Sequence, residues 1–299
     1  MSSRTMAIVV TYEPDVEKLS RLVGRLLPQV ARVILVDNAS SNRKWVEMLH
    51  CGNVEVILND ANLGVAAALN QGLRHCMAAG DVEFASLFDQ DSFPSVDMID
   101  RLEAHYDALS KGGPVAQVGA YFYERNRDVY LPFIAFHRGW PRRQLDHGGE
   151  RVVRADYLIT SGSLASLDAM KHVGLLDEAL FIDYVDIEWG MRAKAKGFAS
   201  FGAFDVRMEH EIGERPINVM GMKFSMHRPI RRYYYYRNGF LLLRRGYMPL
   251  AWKVFELARL SVKFFIFSLF SPNRSEDRKM MIRGIVDGVL NRGGSLSRR

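Results

Sequence analysis

Phe84-Ala85-Ser86-Leu87-Phe88-Asp89-Gln90-Asp91 decides how this chain folds. An apolar run of strand length that stops at two carboxylates one residue apart presents both at the carboxyl edge of a sheet, where open α/β folds bind their ligands. Hard oxygen donors of this kind suit Mg²⁺ or Mn²⁺, ions held by one or two carboxylates together with a substrate's phosphates. The triplet therefore points to a nucleotide diphosphate bound through a metal. A lone D-x-D is common, and the bland alternative is a solvated turn in which Asp91 caps the segment after Pro94. The surrounding sequence decides between them.

Working outward, Met6–Val10, Val33–Val36 and Val54–Leu58 read as further strands. Between them Leu19, Leu22, Val23 and Leu26 recur at helical spacing, as do Leu69, Leu73 and Met77, with Asn62 placed to cap the second helix. Strands alternating with helices predict a mostly parallel twisted sheet flanked by helices. Each strand ends in polar residues: Thr11-Tyr12-Glu13, Asp37-Asn38-Ala39-Ser40, Asn59-Asp60 and Asp89-Gln90-Asp91. Gathered on one edge, they line a crevice. After the turn signal Lys111-Gly112-Gly113-Pro114, a strand is expected over Val115–Phe122, an irregular excursion over residues 123–150, and a strand over Val152–Ile159. Thr160-Ser161-Gly162-Ser163 reads as a small-residue turn before a helix starting near Leu167. The chain shows no internal repeat and no low-complexity linker.

The segment Phe181-Ile182-Asp183-Tyr184-Val185-Asp186-Ile187-Glu188-Trp189-Gly190-Met191-Arg192 packs three carboxylates among apolar residues. With a helix starting near Tyr184, Asp186 falls in its first turn, where the macrodipole favours a carboxylate. A purely structural reading has Asp183 capping the helix and Glu188 paired with Arg192 at i,i+4, which leaves Asp186 unexplained. His210 ends a further strand, either as a satisfied structural histidine or as a metal ligand beside the carboxylates.

With 299 residues and 48% hydrophobic content the chain can bury a large core. Cys51 and Cys76 do not make a disulfide framework, and a reducing compartment fits best. The start, with a single Arg and a short apolar run interrupted by Thr11-Tyr12-Glu13-Pro14, reads as a first strand rather than a signal peptide. Charge is asymmetric: residues 221–299 hold 17 Lys and Arg against 4 Asp and Glu, while residues 1–220 hold 23 against 30. An acidic body with a basic tail implies an anionic surface as partner. Trp252–Phe270 is strongly apolar, yet Lys253, Glu256, Arg259 and Lys263 interrupt it, so it is not a span. A narrow charged stripe on such a helix suits lying in a bilayer interface; burial against the catalytic body, or a homodimer through these helices, is the alternative. No nucleic-acid motif accompanies the Arg and Tyr mixture of residues 228–237.

These pieces, in this order, resemble a family 2 glycosyltransferase of the GT-A fold, and are most similar to bacterial L-rhamnosyltransferases that use dTDP-L-rhamnose. The resemblance rests on Val10–Pro14, Val36–Ser40, Asn62-Leu63-Gly64 with Asn70-Gln71-Gly72, Phe88–Ser92, Asp186–Trp189 with Arg192, and His210. It implies a nucleotide-sugar site built from Thr11, Tyr12, Glu13, Asp37, Asn38, Asn62, Gly64, Asn70, Asp89 and Gln90, and a Mg²⁺ or Mn²⁺ held by Asp89, Asp91 and His210. Asp186 aligns with the second residue of the family's acidic pair, usually the catalytic base; the first position is Val185 here, and Asp183 stands as the alternative base. The acceptor would meet Ser161, Gly162, Glu188, Trp189 and Arg192. The implied organisation is a catalytic domain over residues 1–220, its nucleotide-sugar half ending near 115 and its acceptor half following, then a basic amphipathic helical region over 221–299. The implied activity is inverting transfer of L-rhamnose to a lipid-linked saccharide during surface polysaccharide (O-antigen or lipopolysaccharide) assembly. It would take place in the cytoplasm at the inner face of the membrane, with no nucleic acid as partner. A UDP-hexose or UDP-furanose donor, a non-catalytic nucleotide-sugar-binding scaffold and a metal-dependent nucleotide hydrolase are the competing readings.

Overall fold

The computed structural model describes residues 4–49, 52–125, 128–137, 140–210, 214–219, 222–226 and 228–296, and between 210 and 227 only the backbone. The first half alternates as expected: β1 (Thr5–Thr11), α1 (Val16–Leu26), β2 (Arg32–Asp37), α2 (Lys44–Leu49), β3 (Val54–Leu58), α3 (Val65–Ala79), β4 (Phe84–Asp89), the short β5 (Ser92–Pro94) and α4 (Met98–Ser110). There follow β6 (Val115–Glu124), β7 (Val129–Tyr130), β8 (Phe133–His137), β9 (Trp140–Gln144), β10 (Val152–Ala155), β11 (Ser163–Ser166), α5 (Leu167–Val173), a 3₁₀ turn at Glu178–Leu180 and α6 (Val185–Ala195). The long β12 (Ala199–His210), the hairpin β13 (Glu214–Val219) and β14 (Met222–Met226), and helices α7 (Pro229–Leu243), α8 (Leu250–Phe270) and α9 (Arg274–Val289) complete the described chain.

The main sheet runs β10-β12-β6-β11-β4-β1-β2-β3. β3, β2, β1 and β4 are mutually parallel, β11 runs antiparallel between β4 and β6, and β12 is parallel to β6. Both faces of β1, β2 and β4 are covered, which is why they read as apolar runs, whereas the edge strand β3 is partly exposed and carries Glu55. Along β1, Met6, Ile8 and Val10 enter a core shared with Leu69 and Leu73 of α3, Val173 of α5 and Trp189 of α6. Ala7 and Val9 face the opposite core, with Leu19 and Leu22 of α1 and Leu102 of α4.

Four sequence expectations change. Residues 163–166 form a central strand, not the end of a turn: Ser163, Leu164, Ala165 and Ser166 are all buried, and the two serines bond locally, to Thr160 O at 2.7 Å and from Ala169 N at 3.2 Å. The strand expected over Val152–Ile159 ends at Ala155, and Tyr157 instead bridges Ile134. The excursion at 123–150 is partly regular, since β8 and β9 pair as a small antiparallel sheet. Asn62 does not cap α3, whose first turn follows Gly64; its side chain accepts from Gly64 N at 3.0 Å, one step before the helix.

The helices beyond residue 228 pack onto the catalytic body. Arg237 and Asn238 of α7 are fully buried, and Asn238 Nδ2 donates to the carbonyls of Leu180, Ile182 and Asp183 at 2.7–2.9 Å. The charged stripe of α8 faces inward: Glu256 is buried, accepts from Tyr184 Oη, and pairs with Arg259 at 2.7 Å, while Lys263 donates to Tyr235 Oη at 2.7 Å. Burial pushes the Lys263 ammonium down to about 8. Trp252, Leu260 and Phe267 are also buried, while Val254, Leu257, Val262, Phe265 and Leu269 face outward. No helix among the described residues is long and apolar enough to cross a membrane.

Helices α7 and α9 meet backbone to backbone. A Cβ at Gly284 would sit 2.4 Å from Tyr233 O, and one at Gly288 2.7 Å from Arg237 O. In a free helix Gly→Ala gains about 1 kcal/mol. Here Gly284→Ala is expected to lower the melting temperature in scanning calorimetry; a rise would contradict this packing.

Candidate active site

A cleft of about 620 Å³ opens at the carboxyl ends of β1, β2 and β4. Val10 and Tyr12, Asn38, and Asp89-Gln90-Asp91 come to it from the three strand ends, Asn62 and Gly64 from the turn before α3, and Ser161 from the turn before β11. Asp183, Tyr184, Val185 and Asp186 form the opposite wall. Arg231 and Tyr235 of α7 and Arg259 of α8 also reach it. In the sequence Arg231 and Tyr235 belong to the Arg and Tyr mixture of residues 228–237 and Arg259 to the charged stripe of the apolar helix, and the expected division near residue 220 runs through the site.

The strand ends are tied to one another. Gln90 makes a paired amide contact with the backbone of Tyr12, accepting from its N at 2.8 Å and donating to its O at 3.2 Å. Glu13 takes up a positive φ of 48° and accepts from Ser41 N at 2.8 Å, joining the ends of β1 and β2. Asp37 is buried, accepts from Thr11 Oγ1 at 3.0 Å and Ser40 N at 2.9 Å, and faces Arg43 at 3.4 Å. Thr11 and Asp37 thus shape the loop behind the cleft, and Asn38 enters the cleft itself, donating to Asn62 Oδ1 at 3.1 Å and accepting from Leu63 N at 2.9 Å. Gly64 is required on two counts: its φ is 89°, and a Cβ would lie 2.6 Å from Phe181 O.

Asp89 N donates to Ser161 Oγ at 3.2 Å, and Ser161 shares a 2.7 Å hydrogen bond with Ser92. Gly162 lies behind, against Met208. Phe181, Asp183 and Tyr184 all have φ near +65°, a conformation costly for residues with side chains. No glycine marks this run, so nothing local in the sequence announces it. Asp183 does not cap α6; it binds Arg231, whose Nη2 is 2.9 Å from Oδ1.

Asp186 sits in the first turn of α6 and accepts from Ile187 N at 2.8 Å. Burial, with smaller contributions from the charges of Asp183 and Asp89, pushes its carboxyl from 3.8 up to about 6 against the pull of backbone N–H groups. Carboxylates that repel one another across a cleft are the oxygen-donor chemistry a divalent cation fits, and Asp91 lines the same cleft. Among the described residues no three His, Cys, Asp or Glu side chains form a metal cluster. The His210 side chain lies outside the described residues; its backbone pairs with Ser92.

Eight of the expected site residues that the structure describes do not line the cleft: Thr11, Glu13, Asp37 and Gly162, which lie behind it, and Asn70, Glu188, Trp189 and Arg192. Asn70 is buried and bonds both ways with Leu176, donating to its O at 2.9 Å and accepting from its N at 3.0 Å. Glu188 and Arg192 do pair at i,i+4, at 2.7 Å, but inside the protein rather than on its surface. Arg192 also donates to Val173 O and Leu175 O at 2.8 Å, Trp189 Nε1 to Gly174 O at 2.8 Å, and Tyr247 Oη to Glu188. Together Glu188, Trp189 and Arg192 clamp α6, and with it Asp186, to the end of α5. Cys76 is free and buried, its thiol pushed up to about 12; Cys51 lies outside the described residues.

Fold and cleft define a GT-A glycosyltransferase architecture. GalNAc-T7, solved with UDP, GalNAc and Mn²⁺, superposes with a TM-score of 0.59 at 15% identity, over 91% of this chain and 58% of that one. Residues 1–349 of S. aureus TarS superpose at 0.55 with 16% identity, over 97% of this chain and 81% of that one. The model for glycosyl transferase family 2 matches residues 6–168, and a Shigella flexneri protein named dTDP-rhamnosyl transferase RfbF is 31% identical over 290 residues, 97% of this chain and 96% of that one. The chain belongs to glycosyl transferase family 2.

The raised Asp186 pKa has a stability consequence. The folded state holds this proton longer than the unfolded one, so the contribution falls as pH rises from about 4 through 6 and then levels. Asp186→Asn is expected to be more stable than wild type at neutral pH by roughly 1–3 kcal/mol. The advantage should shrink below pH 6 and vanish under 4 in urea titrations; a destabilised variant at neutral pH would overturn the assignment.

Proposed function

We propose that this glycosyltransferase moves L-rhamnose from dTDP-L-rhamnose to a saccharide acceptor carried on a lipid, with inversion at the anomeric carbon. The donor reading is supported by the relative named dTDP-rhamnosyl transferase, which spans nearly the whole chain. The observation that carries the chemistry is Asp186, in one cleft with Asp89 and Asp91 and holding a raised pKa.

The acceptor hydroxyl must lose its proton as it attacks, and Asp186 is the base that takes it. A single base with no covalent intermediate gives one displacement and inversion. Asp91, with Asp89 and His210, would hold Mg²⁺ or Mn²⁺, which when bound supplies positive charge to the departing diphosphate. Asn38, Asn62, Gly64, Tyr12 and Gln90 shape the nucleotide end of the cleft, with Thr11, Glu13 and Asp37 fixing their loops from behind. Ser161 sits beside Asp89 at the sugar end. Glu188, Trp189 and Arg192 act by holding the helix that carries Asp186. The exposed basic residues of the C-terminal helices support a reaction at the inner face of a membrane that carries the acceptor, in surface polysaccharide assembly.

Saturation-transfer NMR with Mg²⁺ or Mn²⁺ should show binding of dTDP-L-rhamnose in preference to UDP-glucose and UDP-galactose, and Asp91→Ala should lose it. Preference for a UDP-sugar would overturn the donor. Release of dTDP should rise with pH through an apparent pKa near 6 and fall by about 10²–10⁴ in Asp186→Asn with donor binding retained. Undiminished release in that variant would remove Asp186 as the base, and sugar release independent of acceptor would mark a hydrolase.

A further inference from the structure

Helix α8 buries Glu256 together with Trp252, Leu260 and Phe267 and leaves a second apolar stripe in solvent. Its charged residues Glu256, Arg259 and Lys263 point into the protein, as described above. Val254, Leu257, Val262, Phe265 and Leu269, which recur at helical spacing along the other side, are 46–65% exposed. Helix α9 adds a shorter exposed stripe of Ile282 and Val286, continued by Leu290 at its C-cap. An apolar face of this length is costly in water and marks a surface with a partner.

The charge around it identifies the partner. Of the acidic residues between 228 and 296, Glu256, Asp277 and Asp287 are buried, and each faces an arginine: Arg259 at 2.7 Å, Arg232 at 3.1 Å and Arg292 at 3.2 Å. Among the described residues there, Glu276 is the one exposed acid, against exposed Arg274, Arg278, Lys279 and Arg283. The folded helices therefore show the outside an apolar and basic surface. Two copies pressed together through it would oppose like charges. An anionic bilayer offers hydrocarbon to the apolar stripe and negative headgroups to the basic rim.

We infer that the outward face of α8 inserts into the interface of an anionic lipid bilayer while its inward face holds the catalytic cleft, so that one helix is both anchor and wall. This deepens the membrane side of the proposed function and rests on it for its purpose: Arg259, on the inward side, lines the cleft, so a docked α8 holds the cleft next to the bilayer that carries the acceptor.

The test is co-sedimentation of the full chain, without donor, with phosphatidylcholine vesicles containing or lacking phosphatidylglycerol. Binding is expected with phosphatidylglycerol. It should be roughly tenfold weaker in the double variant Phe265→Glu, Leu269→Glu, as for losing apolar insertion while keeping the basic rim. The altered sites are exposed, so melting temperatures should match wild type. As a second readout, Phe265→Trp should gain fluorescence quenching by brominated lipid over wild type. Absence of vesicle binding, binding unchanged by the double variant, or no added quenching would overturn the inference. So would a dimer in sedimentation velocity that the double variant dissolves, since a second copy would then cover the face. Vesicle binding by a protein that fails to bind dTDP-L-rhamnose would support the anchor while refuting the donor reading.

Discussion

The interaction on which the site depends is the grip of α7 on the loop before α6. Asn238 Nδ2 donates to Leu180, Ile182 and Asp183 carbonyls, and Arg237 Nη2 donates to Ala179 at 3.0 Å and Leu180 at 2.8 Å. Residues with side chains at φ near +65° do not hold that conformation unaided. The buried donors fix the carbonyls from behind, and a donor left unpaired there would cost the full desolvation of the group. What the arrangement secures is direction: Asp183 turned toward Arg231, and Asp186 at the start of its helix facing the strand ends.

A second clamp acts from the other side of α6. Glu188, Trp189 and Arg192 bind the carbonyls after α5 and the hydroxyl of Tyr247, so the helix is held along its length as well as at its start. Between the two clamps a carboxylate can be kept largely out of water and beside like charges without the helix swinging away. The raised pKa of Asp186 is the electrostatic mark of that confinement.

Much of this is legible in the sequence. Strands covered on both faces must be apolar, so β1, β2 and β4 announce themselves, β3 reads as a strand at the edge despite Glu55, and their polar ends locate the cleft. β11 does not, because Ser163-Leu164-Ala165-Ser166 carries no strand signal; it is a strand because β4 and β6 both offer it backbone partners, at Phe84–Leu87 on one side and Gln117–Gly119 on the other. The carboxylates of the cleft are visible as residues out of place in apolar segments. Asn70, Glu188, Trp189 and Arg192 are equally conspicuous, yet they brace the loops and helix around the cleft, a distinction that spacing alone does not carry. The stripe on α8 is evident, but which way it faces depends on Tyr184 and Tyr235, whose hydroxyls lie far off in sequence and accept or supply its hydrogen bonds. Arg231, Tyr235 and Arg259 enter the cleft by the same long-range packing.

The grip of α7 also separates folding of the sheet from assembly of the site in time. Every strand of the main sheet lies before residue 211, whereas the groups that fix the 179–183 carbonyls come from residues 237 and 238. Arg237 Nη1 in turn donates to Gly294 O, while Gly294 N donates to Ala179 O at 2.7 Å and Leu296 N to Tyr234 Oη at 2.9 Å. A chain emerging from the ribosome in order can thus complete its strand pairings while the cleft still lacks its far wall. The catalytic geometry is acquired after the sheet, and it arrives together with the surface that faces outward from α8.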